Sequence, residues 1–416
     1  MKQFRFLSTL VTGALLATAC SSNEPGPNGE GTKVIDMTPD EVAIATTTNS
    51  FSLDMYNTTA DKEEDGNFMV SPLSLSMALS MVATGAQGDT RAEILNALGF
   101  GNADIEAVNR LNSRLITELP GVDRATKLSI ANSIWFDKTL NVKPSFLETN
   151  ATAYNAEIFS ADLCSSAAKD AINNWASDKT NGLIPDLLNE APEAGTRMAL
   201  INALYFKGSW AEPFSKKLTN RETFHSADGS ARPVDMMHVT NMSCTVAHDD
   251  AGATWLHLPY GKSHSFEMVL ILPDSENADA LESYMSGLSG SSFAENLVTS
   301  WHCDAKISLP KFEIENSHDL LGTLEALGIS KALSADADFS KISSDESLYI
   351  GKAMQRTIIK VDEEGTEAVA VTDIGMNCTS PGPVEVEEFV FDRPFAFVIR
   401  ECSSGIVLFT GRVSKL

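Results

Sequence analysis

The sequence predicts an α+β protein built around one large domain. Helical patterns dominate the first half of the 416-residue chain and strand-like runs dominate the second, rather than alternating as short β-α-β units. No internal repeat and no linker-like stretch occurs after residue 40, so we expect residues 38–416 to fold as a single domain. With 43% hydrophobic and 21% charged residues, the composition is that of a globular protein.

The predicted helices begin at capping signals. Thr38, Pro39 and Glu41 together form a capping box with a proline in the first turn. Two further helices are predicted on similar grounds: one that begins at Ser71-Pro72 and one that Asp89 caps and that stops at Gly99. A fourth helix, over residues 168–177, is predicted from its helical pattern and from the turn signal that follows it.

The predicted strands are short runs rich in β-branched and aromatic residues. Several are apolar throughout, which is typical of strands buried on both faces. The runs cover residues 128–136, 198–206, 266–272, 357–361 and 395–399.

The N-terminus predicts export. A basic start precedes a mostly apolar run over residues 6–19 that is short for a membrane-spanning helix, so residues 1–19 are expected to be a signal peptide. The run ends in Leu16-Ala17-Thr18-Ala19-Cys20, which resembles a bacterial lipobox and predicts a lipid on Cys20; ordinary cleavage after Ala19 is the alternative. Residues 20–37 are rich in Ser, Asn, Gly and Pro, as in a flexible tether. We therefore expect an exported protein anchored to a bacterial cell envelope, with the outer-membrane surface and an extracellular location both open.

Charge and cysteine content restrict the partners. The formal charge of −25 disfavours nucleic acid and anionic lipid surfaces, so membrane contact is expected only through Cys20. Five cysteines remain besides Cys20, and an odd number leaves at least one thiol outside any intramolecular disulfide. The absence of a C-x-x-C motif argues against structural zinc. These cysteines are Cys164, Cys244, Cys303, Cys378 and Cys402.

Enzyme motifs are missing from the sequence. It contains no H-E-x-x-H, no G-x-S-x-G and no glycine-rich phosphate loop after a strand. Adjacent acids such as Glu363-Glu364 and Glu387-Glu388 are interpreted as solvated surface, because neighbouring side chains point to different faces. We expect neither catalysis nor a cofactor.

One segment has a pattern compatible with two conformations. Residues 362–365 begin like a turn, and alternate residues from Thr366 onward are then small or apolar, which is the period of a strand with one buried face. Residues 379–383 (Thr-Ser-Pro-Gly-Pro) are typical of a loop and would end a central strand. The alternating small or apolar set is Thr366, Ala368, Ala370, Thr372, Ile374 and Met376.

Motifs along the whole body resemble the serpin family. The resemblance covers about residues 40–416 in family order and predicts membership of that family. The matching segments include Asn67-Phe68-Met69-Val70-Ser71-Pro72-Leu73-Ser74, Asn202-Ala203-Leu204-Tyr205-Phe206-Lys207-Gly208-Ser209-Trp210, Leu258-Pro259-Tyr260, Leu309-Pro310-Lys311-Phe312, Glu363-Glu364-Gly365-Thr366-Glu367-Ala368, Phe391-Asp392-Arg393-Pro394-Phe395 and Phe409-Thr410-Gly411-Arg412-Val413.

The resemblance implies a fold of three β-sheets with eight or nine helices and an exposed reactive-centre loop over about residues 363–390. It also implies a monomeric protease inhibitor: a target protease cleaves the loop, forms an acyl-enzyme and is trapped when the loop inserts into the main sheet. A serpin-fold binding protein that traps no protease is the alternative. The absence of charged or bulky residues at the inward positions favours inhibition.

Three groups of site residues follow from the resemblance. The hinge would enter the sheet only on insertion, with Thr366 as its first inward side chain, and the breach residue at the top of the main sheet would be Trp210. At the shutter, Gln355 replaces the histidine of many serpins, and its amide is expected to keep a hydrogen-bond network with Ser71, Ser74 and Asn202. The full sets are Glu363, Glu364, Gly365, Thr366, Glu367, Ala368, Val369 and Ala370 for the hinge, and Ser71, Pro72, Ser74, Asn202 and Gln355 for the shutter.

The scissile bond is placed by family spacing. Counting sixteen positions from Glu363 gives Thr379, with cleavage before Ser380, whereas counting back from Pro394 gives Pro383. We favour Thr379–Ser380, because inserted length must match the sheet, with Met376 and Cys378 as the next candidates. None of these is basic, Asp or a large aromatic residue. The expected target is therefore an elastase-like serine protease or a papain-like cysteine protease.

Overall fold

The fold is described from a computed structural model, which covers residues 33–63, 66–101, 103–366 and 386–416. Several predicted features lie outside the described residues. These are the signal peptide, the lipid site Cys20, the hinge residues Glu367, Ala368, Val369 and Ala370, and the scissile-bond candidates Met376, Cys378, Thr379 and Ser380.

The helices cluster in the first half of the chain, as predicted. Among the described residues, no helix is both long and apolar enough to cross a bilayer. The helices are α1 (Pro39–Ala60), α2 (Pro72–Gly85), α3 (Gly88–Ala97), α4 (Ile105–Glu118), α5 (Pro144–Ala153), α6 (Ser166–Lys179), α7 (Ala280–Gly287), α8 (Gly290–Val298) and α9 (Leu321–Ala326).

Two of the predicted helix starts are confirmed and one is wrong. The capping box between Thr38 and Glu41 begins α1, and Ser71 Oγ accepts from the backbone N–H of Ser74 at the start of α2. Asp89, however, does not cap α3, which begins at Gly88 without a side-chain cap. The Asp89 carboxylate forms an ion pair with Lys331 instead.

The strands form two hydrogen-bonded networks in the described part of the chain. All five predicted strand runs lie within observed strands. The strands are β1 (Phe68–Val70), β2 (Lys127–Asp137), β3 (Glu157–Ala161), β4 (Met198–Ser209), β5 (Asn220–His225), β6 (Ala231–Asp249), β7 (Ala253–Tyr260), β8 (Phe266–Pro273), β9 (Trp301–Pro310), β10 (Phe312–Asp319), β11 (Met354–Asp362), β12 (Gly365–Thr366), β13 (Glu387–Val390), β14 (Phe395–Glu401) and β15 (Val407–Val413).

The larger network has nine strands, and its order is β1-β15-β14-β8-β7-β6-β9-β13, with β5 also paired to β6. The 19-residue β6 pairs with β5, β9 and β7 along successive parts of its length, so it joins what would otherwise be two sheets. This explains how three expected sheets appear as two networks. Strands β8, β14 and β15 are buried along their whole length and form the centre of the hydrophobic core.

The smaller network has six strands in the order β10-β11-β12-β4-β2-β3. Its unusual member is β12, a two-residue strand that lies between the long strands β11 and β4. The chain reverses direction at Glu363 and Glu364 to place β12 there. The candidate site lies at this point.

Candidate functional site: the hinge and the sheet beneath it

The start of the predicted hinge is already part of the six-stranded sheet. Thr366 lies opposite Val361 on β11 and Gly208 on β4, in antiparallel register with both strands. Gly365 has a φ of +149°, and a Cβ there would come within 2.7 Å of Ser209 Cα. Both the conformation and the close approach of β4 therefore require glycine at this position.

Thr366 points inward, as the alternation predicted. Its side chain is buried, and its Oγ1 lies 2.6 Å from the Tyr260 hydroxyl. The Tyr260 ring stacks on Trp210, with 4.6 Å between centroids and 9° between planes. The prediction that Thr366 enters the sheet only on insertion is wrong, because its pairing and burial exist in the intact chain.

Trp210 holds the turn that leads into β12. Its indole Nε1–H donates to the carbonyl of Asp362 at 2.9 Å, and its backbone N–H donates to the carbonyl of Glu364 at 2.9 Å. Phe214 N–H donates to the Glu363 carbonyl, also at 2.9 Å. One aromatic residue at the end of β4 thus fixes both sides of the reversal, which is where the breach was predicted.

Two of the three acidic hinge residues, Glu363 and Glu364, form ion pairs with lysines from different parts of the chain. The Glu363 carboxylate is buried and accepts from Lys311 Nζ at 2.9 Å and from Thr219 Oγ1 at 2.7 Å. Burial alone would favour the neutral acid, but these two bonds outweigh it and the pKa of Glu363 lies below the ordinary glutamate value. Glu364 forms an ion pair with Lys216 and thereby raises the pKa of that lysine.

Below Thr366 the sheet is open. In the described structure β4 pairs with β2 and β12, and β11 pairs with β10 and β12, but no register joins β4 to β11 directly. A cavity of about 440 Å³ occupies this gap, lined by residues 198–204 on one side, residues 347–357 on the other, and Leu75 and Leu79 of α2 beneath. We call this gap the slot.

The register of β12 determines which residues would face each other if this strand extended into the slot. Continuing the antiparallel register from Thr366, residue 367 would face Lys207 and Lys360, and residue 376 would face Met198 and Gly351. The first five residues of β4, 198–202, are only half-buried although β4 is an interior strand of the sheet. The slot therefore matches a strand of about ten residues that continues from β12.

The predicted shutter residues separate into two groups. Gln355 accepts from the Ser71 N–H at 2.8 Å and donates to the Ser71 carbonyl at 2.9 Å, while Ser71 Oγ donates to the carbonyl of Leu408 at 2.8 Å. Ser74 joins through its N–H to Ser71 Oγ, and Pro72 is the first residue of α2.

Asn202 does not share this network. Its amide donates to Asn132 Oδ1 at 2.8 Å and contacts the sulfur of Met77 at 3.8 Å. The expectation of one network is wrong for Asn202, because both ends of the Gln355 amide bind the backbone of Ser71. Gln355 and Asn202 instead line the slot from opposite strands.

Besides Lys216, three side chains of the site were not assigned from the sequence. Tyr260 and Lys311 lie in the segments Leu258-Pro259-Tyr260 and Leu309-Pro310-Lys311-Phe312, which carried the family resemblance but had no role attached. Thr219 carried no signal at all. Only the folded hinge shows that Tyr260 supports Thr366 and that Lys311 and Thr219 hold Glu363.

Comparison with known proteins defines the family. The protein-family model described as Serpin (serine protease inhibitor) matches residues 46–416. Leukocyte elastase inhibitor of Bos taurus is 32% identical over 378 residues, which cover 88% of this chain and 97% of that protein. The chain therefore belongs to the serpin family, whose described activity is inhibition of serine proteases rather than catalysis.

Solved structures confirm the predicted fold. The native state of the thermophilic serpin tengpin matches with a TM-score of 0.82 and 32% identity, covering 93% of this chain and 97% of that one. The latent state of tengpin matches with a TM-score of 0.77 and 30% identity, covering 92% and 100%. The α+β serpin fold is thus established for this chain.

Proposed function

We propose that this protein is an inhibitory serpin of the suicide-substrate type. A target protease attacks the loop as a substrate near Thr379–Ser380, and its acyl-enzyme is trapped because the freed loop enters the slot faster than water completes the hydrolysis. The observation that carries this proposal is the position of Thr366: the first inward residue of the alternating segment already lies at the upper end of the slot.

The length of the slot supports the proposed bond. Ten residues from 367 to 376 fill the register down to Met198, so the segment that must insert ends three residues before Thr379. Its inward members are small or apolar, which suits an interior face between β4 and β11. Placing the bond at Pro383 would leave seven loop residues beyond the end of this register.

Chain length also explains why cleavage favours insertion. Ten inserted strand residues descend about 33 Å. In an intact chain, residues 377–386 alone would have to return to β13, which begins at Glu387. Ten residues reach at most about 33–36 Å, which leaves little length for the reversal of direction as long as β13 keeps its pairing with β9. Cleavage removes this restraint.

The target class follows from the loop residues. We propose an elastase-like serine protease, whose small primary pocket accepts Thr379, with a papain-like cysteine protease as the other class. The name of the bovine relative, leukocyte elastase inhibitor, supports the first. We further propose that the chain acts as a monomer held at a bacterial cell envelope through a lipid on Cys20.

A protease panel tests the inhibitory function. The purified protein is incubated with an elastase, with trypsin and with papain, and covalent complexes that survive SDS are scored by gel and mass spectrometry. We expect a complex with elastase or papain and none with trypsin, and the acyl bond should map near Thr379.

Heating separates inhibition from simple binding. If the uncleaved protein is a kinetic trap, cleavage and insertion should raise its unfolding temperature substantially. A cleaved loop that adds no thermal stability, together with no complex in the panel, would indicate a serpin-fold binding protein instead.

A further inference from the structure

Two buried cysteines face each other in the nine-stranded network. Cys244 on β6 and Cys303 on β9 are direct partners in antiparallel register, and their sulfur atoms lie 3.4 Å apart. The flanking pairs, Ser243 with Asp304 and Thr245 with His302, keep the same register. Neither cysteine has a place in the hinge, the slot or the proposed reaction.

We propose that Cys244 and Cys303 form a cross-strand disulfide when the protein meets an oxidising thiol–disulfide pool. The oxidant is a low-molecular-weight disulfide. One cysteine sulfur attacks it and releases one thiol, giving a mixed disulfide, and the second cysteine sulfur then displaces the other thiol. Two protein thiols are oxidised to one S–S bond, the small disulfide is reduced to two thiols, and both protein protons leave on these products.

The backbone already satisfies the requirements of the bond. Directly opposed residues in antiparallel strands have Cα atoms about 4.5 or 5.5 Å apart, and disulfides occur at about 4.4–6.8 Å. The sulfur atoms must approach from 3.4 Å to about 2.0 Å, which rotation of the two side chains and a small approach of the paired strands achieve. The register of the two strands does not change.

The bond would form slowly in the folded protein. Cys244 is 3% exposed and Cys303 is 9% exposed, so the oxidant reaches Cys303 first. Burial raises the pKa of both thiols and reduces the thiolate that attacks a disulfide. Cys164 is exposed and supplies an internal standard for a thiol that reacts freely.

The bond would stabilise the strand that supports the far end of the loop. β9 pairs on its other edge with β13, and Glu387, the first residue of β13, lies opposite Ala305, two residues beyond Cys303. The bond closes a loop of 59 residues between β6 and β9. A constraint of this size should raise the midpoint of thermal unfolding by roughly 3–5 °C.

The test is peptide mapping after controlled oxidation. The mature protein is incubated with oxidised glutathione well beyond the time at which Cys164 becomes fully modified, and until the peptide map no longer changes. It is then alkylated and digested with trypsin. Lys262 lies between the two cysteines, so Cys244 and Cys303 leave in separate peptides unless a disulfide joins them. We expect one joined peptide that reduction separates, and a thermal midpoint that rises on oxidation and falls again on reduction.

Matched variants distinguish this bond from other thiol chemistry. Cys164→Ser should keep the joined peptide and the thermal shift, and Cys244→Ser should lose both. If Cys244→Ser folds poorly, the mapping of the parent protein decides alone. Separate alkylated peptides for Cys244 and Cys303, or glutathione on each, at the end of this prolonged incubation would overturn the proposal. Neither outcome depends on whether the protein inhibits a protease.

Discussion

Thr366→Arg is the variant that most directly tests insertion. In the intact protein Thr366 is buried against Tyr260, so arginine there must push β12 out of the sheet. The loss is one hydrogen bond of about 1 kcal/mol and two residues of strand pairing, and the fold should survive with a slightly lower unfolding temperature. In the fully inserted state the strand cannot leave the sheet in this way, because insertion places the arginine side chain beneath the sheet.

The expected size of the effect on trapping can be estimated. An unpartnered buried charge costs about 3–5 kcal/mol. If half of this, about 2 kcal/mol, is felt in the rate-limiting step, insertion slows by about 30-fold. Suppose that the loop of the parent inserts about ten times faster than water hydrolyses the acyl-enzyme. The loop of the variant would then insert about three times more slowly than this hydrolysis. About three of every four cleavages would then release active protease.

The assay is the stoichiometry of inhibition, read with the yield of SDS-stable complex. Thr366→Val is the matched control, because it removes the same hydroxyl without adding a charge and should therefore leave trapping close to the parent. A Thr366→Arg protein that traps protease with the parent's stoichiometry would refute the reasoning, since insertion would then not require the side chain of residue 366 to stay beneath the sheet.

Three further predictions concern the breach residue, the shutter and the lipid site. Trp210→Phe removes the hydrogen bond to the Asp362 carbonyl and should lose much of any tryptophan fluorescence change on loop cleavage; a full-sized change would contradict its placement beside the hinge. Gln355→Leu leaves the N–H and carbonyl of Ser71 without their partners and should destabilise the fold by about 2–4 kcal/mol in chemical denaturation, whereas an unchanged midpoint would show that these bonds contribute nothing. Cys20→Ala should move the protein from the membrane fraction to the soluble or unprocessed fraction, and unchanged membrane association would count against a lipid at this residue.

Patterns that depend on local geometry were predictable from the sequence. The capping box of Thr38 and Glu41 was correct because its partners are three residues apart, and the inward direction of Thr366 was correct because a strand alternates with period two. Asp89 shows the limit of such rules. Its carboxylate has a competing partner, Lys331, that is 242 residues away in the sequence and that no local pattern reveals.

The number of hinge residues that the sheet of the intact chain already contains could not be predicted. Alternation fixes which face a residue takes once it is in a strand, but it does not fix how many residues are already paired in the intact chain. The partners of Gln355 depended on the same information: with β4 and β11 apart, its amide binds the backbone of Ser71 and does not reach the network of Asn202. The width of the slot, a property of two strands distant in sequence, decided both outcomes.

The pairing of Thr366 within the sheet of the intact chain has a consequence for how the proposed insertion starts. Beginning a new strand between two others requires an entropic nucleation step, in which a flexible segment is fixed before it gains its pairing energy. Here two residues are already registered, and Trp210, Lys311 and Thr219 hold the turn above them. In the proposed mechanism, insertion therefore needs only the propagation of β12, one residue after another. The proposed competition with hydrolysis then starts after the entropic cost of nucleation has been met.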